Sequence, residues 1–474
     1  MFFRRSPTAE IEPVHRALAE GRYEAALALL EGAAKRGRQR GKQRSNQAQF
    51  KLSLAAAYAL YGEDGLEGGL LYLGEAAEAD TAVTHTPLYR ALYWEFAAYQ
   101  GEPMSDVKRG ALTAAQAGDA TAIYHAACAL AAIHAFKRAT EMLLEVDAKA
   151  LPAYLEWRYW SLLGRSYEAQ GLFEEAADAF EHASTLCPCE DKFSELLNLA
   201  ANRLEALQPN LALAALERAE RTFYADSASE RAVQRYLTGR AHLLLGNPNT
   251  ALNLFLEASV SESAAGESSF SLRLALGQTY SLLGKLRRAA ESYSEAVQLA
   301  SKRQRALALH EYALLMLEAN DLERAKELLQ EAAEDEHYDL HAEAYADLAD
   351  VELRLGNLRS ADALAQRALD LGATTPACLT LGNIAHEYSR FDEAIVWFEK
   401  AASASARGSA EWLFAKEMLV DSFVQQGYAH PDRVIHHAEA VLHYLSPFDE
   451  WTLLMQGYLD HAKALLGGKP RLLN

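Results

Sequence analysis

Several residue types are scarce in this chain, and each scarcity excludes a class of protein. Only 4 of its 474 residues are cysteine, too few for a disulfide framework, which favours a reducing compartment. Positive charge is also short, because 46 lysines and arginines stand against 65 aspartates and glutamates, for a formal net charge of −19. That balance argues against general binding to nucleic acid or to anionic membranes, both of which attract basic surfaces.

Long apolar runs are missing as well. Charged residues interrupt every hydrophobic stretch before it reaches the roughly 20 residues that a membrane-spanning helix needs. The opening residues, MFFRRSPTAEIEP, contain no apolar core of the kind that a secretory signal requires. With 50% hydrophobic and 23% charged residues the chain can bury a large core and is not disordered. We therefore expect a soluble, cytoplasmic protein.

The clearest positive signal is a repeat, which the segment 157–190 shows best. Its apolar residues are spaced as on two amphipathic helices that are joined at Gly171. The first stripe consists of Trp160, Leu163, Gly164 and Tyr167, and the second consists of Ala176, Phe180 and Ala183, with Pro188 at the end. Small residues in each stripe predict close approach of the two helices, which form an antiparallel pair.

This pattern resembles the tetratricopeptide repeat, which reads W-x₂-L-G-x₂-Y, A-x₃-F and P over about 34 residues. Weaker copies follow along the chain, and we expect about twelve repeats. Their predicted starts lie near residues 7, 48, 87, 120, 157, 193, 232, 270, 306, 342, 375 and 413. The resemblance implies an all-α fold, an α-solenoid in which helix-turn-helix repeats form a right-handed superhelix.

The repeats predict one continuous array over residues 7–446, after a disordered N-terminus at residues 1–6. Residues 447–474 are predicted to form a C-terminal capping helix and tail. Ser446 and Pro447 are typical of a helix start. The predicted apolar stripe of this helix is Trp451, Leu454, Tyr458, Ala462 and Leu465. A solenoid needs such an element to cover its last open face.

No catalytic, cofactor or metal-binding constellation is evident, so the sequence predicts that the protein is not an enzyme. The motifs HExxH, GxSxG, GxGxxG after a strand and GxxxxGK[ST] are absent. The cysteines are interpreted as structural thiols, since no second pair completes a zinc site around Cys187 and Cys189. His337 with His341, and the histidines within residues 430–443, are interpreted as surface histidines, with metal binding as the alternative.

The resemblance implies that the protein binds a peptide or a protein segment. In this family the first helix of each pair lines a concave groove. Carried over position by position, the groove residues of this chain are Tyr124, Arg158, Ser161, Arg165, Tyr236, Arg240, Gln278, His310, Asp350 and Asn383. The Lys and Asn pattern with which chaperone-binding members hold a C-terminal carboxylate is absent, so such tails are not expected as ligands.

The charges at these positions change along the chain. Arginines occupy the middle of the predicted groove, and acids occupy its C-terminal third, namely Glu343, Asp350, Glu387, Glu417 and Asp421. This gradient predicts a ligand whose acidic part meets the arginines and whose basic part meets the acids. The alternative is that these residues form ordinary solvated helix faces.

One basic segment, residues 35–44, interrupts the acidic background. Its charged residues are Lys35, Arg36, Arg38, Arg40, Lys42 and Arg44. We interpret it as a solvated loop, with contact to an acidic partner, a phosphate or nucleic acid as the alternative.

Two functional hypotheses follow. The first is a non-enzymatic adaptor that binds a protein or peptide in its groove. The second is a regulatory or signalling protein similar to the bacterial tetratricopeptide peptide receptors, with its DNA-binding part absent or supplied by a partner.

Overall fold

The structure is a computed structural model that describes residues 12–22, 24–26, 28–29, 32, 44–116, 118–222, 228–446 and 450–467. The predicted disordered N-terminus and the basic residues 35–43 lie outside the described residues, and Arg44 is described only as the first residue of a helix. The described part of the chain contains helices and no strand, which confirms the predicted all-α fold. None of its helices is long and apolar enough to cross a bilayer.

The chain divides into two compact units, Met1–Glu267 and Ser268–Asn474. The helices of the N-terminal unit are α1 (Glu12–Ala19), α2 (Arg44–Ala59), α3 (Leu66–Ala79), α4 (Pro87–Tyr99), α5 (Met104–Ala115), α6 (Ala120–Ala132), α7 (Phe136–Leu143), α8 (Ala153–Glu168), α9 (Phe173–Leu186), α10 (Cys189–Glu205), α11 (Pro209–Thr222), α12 (Ala228–Leu244) and α13 (Pro248–Ala265). Short 3₁₀ turns lie at Gly62–Gly65, Thr81–His85 and Ala148–Ala150.

The helices of the C-terminal unit are α14 (Phe270–Leu282), α15 (Leu286–Leu299), α16 (Lys302–Glu318), α17 (Leu322–Ala333), α18 (His341–Arg354), α19 (Leu358–Leu371), α20 (Thr374–Glu387), α21 (Phe391–Ala404), α22 (Ala410–Gln425), α23 (Pro431–Leu442) and α24 (Glu450–Gly467). In both units consecutive helices pack in pairs, from α2 with α3 to α22 with α23. We call the members of each pair its first and second helix. The extent of the whole repeat array, which the sequence predicts as residues 7–446, stays a prediction.

The same steric contact holds many of these pairs together. A glycine of the first helix faces an aromatic ring of the second helix, 16 residues later in the chain, in the pairs Gly164–Phe180, Gly239–Phe255, Gly277–Tyr293 and Gly382–Phe398. A methyl group at each glycine would come within 2.5 to 3.0 Å of that ring, closer than packed atoms allow. The rings are fully or almost fully buried. The small residue therefore makes room for the large one, as the repeat pattern predicts.

The turn between the two helices of a pair has its own requirement. Gly171 adopts a φ of +73° in the left-handed region, which favours glycine because it has no Cβ. Leu207 takes the corresponding place after α10 with a φ of +57°. The repeat geometry therefore overrides the conformational preference of leucine at that turn.

The last helix, α24, packs against α23 with a different face from the one expected. Its buried residues are Met455, Leu459 and Ala462, whereas Trp451 and Leu465 are 50% and 51% exposed. Leu454 is 42% exposed as well, so the predicted stripe was wrong for three of its five members. Apolar residues lie on more than one side of α24, so the sequence alone does not determine which side the preceding pair covers.

Candidate functional site

Three of the predicted groove residues share one face of α8. Arg158, Ser161 and Arg165 are spaced by three and four residues, which brings them to the same side of the helix. We call the surface that Arg158, Ser161 and Arg165 form, together with the residues around them on the neighbouring first helices, the α8 face. Arg165 is exposed and forms no hydrogen bond or ion pair with the residues that the structure describes.

The guanidinium of Arg165 acts on groups from four first helices. Burial raises the pKa of Tyr99 on α4, Cys128 on α6, Glu168 on α8 and Glu195 on α10, and the positive charge of Arg165 opposes each rise. Arg165 therefore lies within electrostatic reach of groups on four first helices. Its charge is available there to a ligand, since no described residue pairs with it.

Ser161 and Glu195 connect α8 to α10. The Ser161 hydroxyl donates to Oε1 of Glu195 over 2.9 Å, and both side chains are buried. The other carboxyl oxygen of Glu195 has no hydrogen-bond partner among the described residues. Burial raises the pKa of Glu195 to about 7, although the Ser161 hydrogen bond and the charge of Arg165 favour the carboxylate.

This raised pKa predicts a pH dependence of stability. The folded value of about 7 lies above the ordinary value of 4.5, so the native state holds its proton more tightly. Glu195 therefore stabilises the fold fully below about pH 4.5, and that contribution is lost as the pH rises through about 7. Glu195→Gln is expected to be more stable than the wild type at about pH 8 and similar to it at about pH 4.

Chemical unfolding of both proteins across this range measures the difference. Glu217→Gln, at an exposed site on the second helix α11, is the matched control and should follow the wild type at every pH. If the free energy of unfolding of Glu195→Gln differs from that of the wild type by the same amount at every pH, the raised pKa of Glu195 is contradicted.

Arg158 is engaged within the protein. Its guanidinium carbon lies 4.4 Å from the centre of the Trp157 ring, and Nη1 donates to the Tyr154 carbonyl oxygen over 2.6 Å. The short helix α1 also contacts α8, where the His15 ring stacks on Tyr154 with 4.5 Å between centres. The start of α8 is therefore covered by the chain itself, and its open part lies toward Arg165.

The other predicted groove residues of the N-terminal unit have internal partners or little exposure. Tyr124 on α6 is buried, and burial raises its pKa well above the usual range. Arg240 on α12 forms an ion pair with Glu205 of α10 over 2.9 Å and lies 5.9 Å from the centre of the Tyr236 ring. The structure thus brings Arg158, Ser161 and Arg165 together and places Tyr236 with Arg240 on a separate helix.

The C-terminal unit distributes its four predicted residues over four first helices. Gln278 is half-buried on α14. His310 on α16 is buried, with Nε2 2.7 Å from Oδ2 of Asp347 and Nδ1 3.0 Å from the Tyr338 hydroxyl. Asp350 on α18 and Asn383 on α20 line one pocket of about 490 Å³.

That pocket also contains residues that the sequence reasoning missed. Arg354 follows Asp350 by one helical turn and pairs with it over 2.8 Å, and His386 follows Asn383 by three residues on α20. Both spacings place the missed residue on the face of the predicted one. A search of that face one turn further along each first helix would have found them. Glu387 was predicted and lines the pocket too.

The histidines were interpreted as surface residues, which is wrong for His437, because its side chain is buried. His341 Nε2 lies 2.9 Å from the Ala333 carbonyl oxygen, and the His437 ring is stacked on Phe423. Burial lowers the pKa of His437 to about 3, and the nearby charge of Lys416 adds to this. No group of three metal-ligating side chains comes together within the described residues.

Comparison with known proteins supports the family resemblance. A family model described as tetratricopeptide repeat matches residues 158–188 and 270–303, which confirms the repeats recognised there. No curated protein matches the sequence.

Solved structures with some likeness include three helical-repeat proteins. The APC/C hetero-tetramer Cut9–Hcn1 is 14% identical over 87% of this chain and 95% of that chain, with a TM-score of 0.40. PilF of Pseudomonas aeruginosa is 20% identical over 49% of this chain and 99% of its own, with a TM-score of 0.40. A tetratricopeptide repeat protein of Parabacteroides merdae is 16% identical over 56% of this chain and 98% of its own, with a TM-score of 0.41.

Proposed function

We propose that this tetratricopeptide repeat protein is a non-enzymatic adaptor that binds a segment of another protein on the α8 face of its N-terminal unit. The observation that carries the proposal is Arg165, an exposed guanidinium with no partner among the described residues. Surface arginines in this chain commonly pair with a neighbouring carboxylate, as Arg240 does with Glu205. An exposed arginine that has no such partner and lies on a first helix is suited to a ligand from outside.

The chemistry of the site favours an acidic ligand. The planar guanidinium presents parallel donors that match a carboxylate, and arginine is enriched among the anchors of protein interfaces. Tyr99 and Cys128 lie close enough to feel the Arg165 charge, and burial raises the pKa of both, so they stay neutral near pH 7. These two groups therefore do not compete for the guanidinium, whereas the carboxyl groups of Glu168 and Glu195 also lie within reach of its charge. An Asp or Glu side chain, or a C-terminal carboxylate, would fit there.

The state of three thiols argues against a role for them as nucleophiles. Burial raises the pKa of Cys187 to about 12 and also raises the pKa values of Cys128 and Cys378. A thiol is a nucleophile only as its thiolate, so these cysteines are unreactive at neutral pH. Location in the cytoplasm stays a prediction from the sequence.

Peptide selection tests the proposal and needs no identified partner. A displayed library of random peptides is selected against the full chain, and one enriched peptide is then titrated at fixed salt. We expect the enriched peptides to carry Asp, Glu or a free C-terminal carboxylate. Arg165→Ala should weaken binding of the chosen peptide by about 30-fold or more, since truncating one partner of a desolvated charge pair costs roughly 2–5 kcal/mol.

Two control variants show whether a loss of peptide binding is specific to Arg165. Arg221→Ala removes an exposed arginine from the second helix α11 and should bind the peptide like the wild type. Arg44→Ala neutralises the end of the basic segment, which is the rival contact for an acidic partner. If Arg44→Ala loses the peptide while Arg165→Ala keeps it, the basic segment is the site. A shift of duplex DNA by the wild type at physiological salt would instead favour the regulatory hypothesis.

A further inference from the structure

A pocket in the C-terminal unit has a chemistry opposite to that of the α8 face. It lies on the first helices α18 and α20 and extends to the start of α19 and to Met418 of α22, with a volume of about 490 Å³. Its lining residues are Asp350, Leu353, Arg354, Gly356, Leu358, Asn383, His386, Glu387 and Met418. This volume can hold one long side chain with room left over.

Among the charged residues of the lining, only the carboxylate of Glu387 has no ion-pair partner among the described residues. Asp350 and Arg354 form an ion pair over 2.8 Å on the same helix, so their charges largely cancel. Glu387 is exposed and has no hydrogen bond or ion pair with any described residue. The other ionisable group of the lining, His386, is held by a second carboxylate, since its Nε2 lies 2.8 Å from Oδ2 of Asp421. The field in the pocket therefore favours a positive charge, because Arg354, the one lysine or arginine of the lining, is already paired with Asp350.

The uncharged lining suits the rest of a long cationic side chain. Leu353, Leu358 and Met418 provide an apolar wall for a chain of methylene groups, and methionine adapts readily to such shapes. Asn383 is half-buried, and its amide has no hydrogen-bond partner among the described residues. Its carbonyl oxygen can accept a hydrogen bond from an ammonium or a guanidinium.

We propose that this pocket binds a lysine or arginine side chain of a partner protein, with the alkyl stem along Leu353, Leu358 and Met418 and the charged head between Glu387 and Asn383. The site is separate from the α8 face and does not depend on Arg165. A free anion is the wrong ligand for it, because Arg354 is already paired.

Short capped peptides test the proposal on the full chain. The probes are acetyl-Gly-X-Gly-amide with X as arginine, lysine, glutamine or glutamate, and their binding is measured by ligand-observed NMR titration. Arginine and lysine probes should bind at least about tenfold tighter than the glutamine probe, as expected for one charge-assisted hydrogen bond. The stronger of the two cationic probes identifies the preferred head group. The glutamate probe should not bind in the pocket.

Three variants assign the binding to this pocket. Glu387→Gln should weaken the cationic probes by about tenfold, and Asn383→Leu should also weaken them. Glu323→Gln removes an exposed carboxylate from the second helix α17 and should change nothing. Arg165→Ala should bind these probes like the wild type, which separates the two sites.

Three results would overturn the proposal. The proposal is overturned if neither cationic probe binds at its highest soluble concentration, or if the glutamate probe binds more tightly. It is also overturned if Glu323→Gln weakens binding as much as Glu387→Gln, because the acidic surface as a whole would then attract the probe. Unfolding midpoints equal to that of the wild type would exclude misfolding of the variants, whose substituted side chains are exposed or half-buried.

Discussion

Replacing His125 with leucine is expected to destabilise the N-terminal unit by about 3–5 kcal/mol, a large share of the stability of a typical fold. His125 on α6 and Glu95 on α4 form a buried pair, with 2.7 Å between Nδ1 and Oε2 and side-chain exposures of only 2% and 3%. Without the imidazole, the buried carboxyl group of Glu95 loses its main hydrogen-bond partner. Breaking a buried pair costs more than the pair contributes, because the charge left behind has lost both water and partner.

A double-mutant cycle separates that penalty from simple loss of packing. Glu95→Leu alone should also destabilise, since it leaves the imidazole without its acceptor. The double variant, Glu95→Leu with His125→Leu, should recover most of the loss, because two apolar side chains of similar volume need no partner. Chemical unfolding of the four proteins measures the cycle. A double variant whose loss equals the sum of both single losses would show that packing alone is at stake.

The exposed pair Arg109–Asp106 on α5 provides a matched control. Its side chains are 77% and 41% exposed, and it joins residues three apart on one helix. Arg109→Leu should change the stability by less than about 1 kcal/mol, since water replaces the lost partner. An effect as large as that of His125→Leu would show that the method does not distinguish buried from exposed pairs here.

The helix pairs were predictable because their signal is local. Trp160, Gly164 and Phe180 lie within one repeat, and the structure forms α8 and α9 from that segment with the glycine facing the ring. Periodicity detects such contacts since both partners lie within about two helices of one another in the chain. Asp350 and Asn383, which line one pocket, were instead found by carrying over the groove positions that the family resemblance implies.

Contacts between repeats were harder to predict. The groove positions of Ser161 and His310 follow from the single repeat, yet both side chains are buried and have hydrogen-bond partners among the acids of the next repeat. Those acids, Glu195 and Asp347, follow 34 and 37 residues later, close to one repeat length. A search for polar pairs at that spacing would have identified them. The stacking of His15 on Tyr154 has no such period, so no local pattern indicates it.

Truncation of Phe398 to alanine is expected to cost the C-terminal unit about 3–5 kcal/mol. The ring is fully buried on α21, and it fills the space that Gly382 leaves open on α20. A methyl group at position 382 would come within 2.5 Å of a ring carbon, so the two residues depend on each other's size. Because each pair contacts chiefly its neighbours, lost protection from hydrogen exchange should centre on residues 374–404.

Because positions 382 and 398 depend on each other, the effect of Gly382→Ala on stability should change sign when Phe398 is truncated. In the wild type Gly382→Ala should destabilise, because the new methyl group collides with a ring that the core holds in place. In the Phe398→Ala background that ring is gone, and alanine should stabilise the helix by up to about 1 kcal/mol relative to glycine. Gly457→Ala on α24, where no atom lies within 4 Å of the new methyl group, should stabilise in both backgrounds. Chemical unfolding of the six proteins decides the matter: if Gly382→Ala has the same sign with and without the ring, the glycine is not there to admit Phe398.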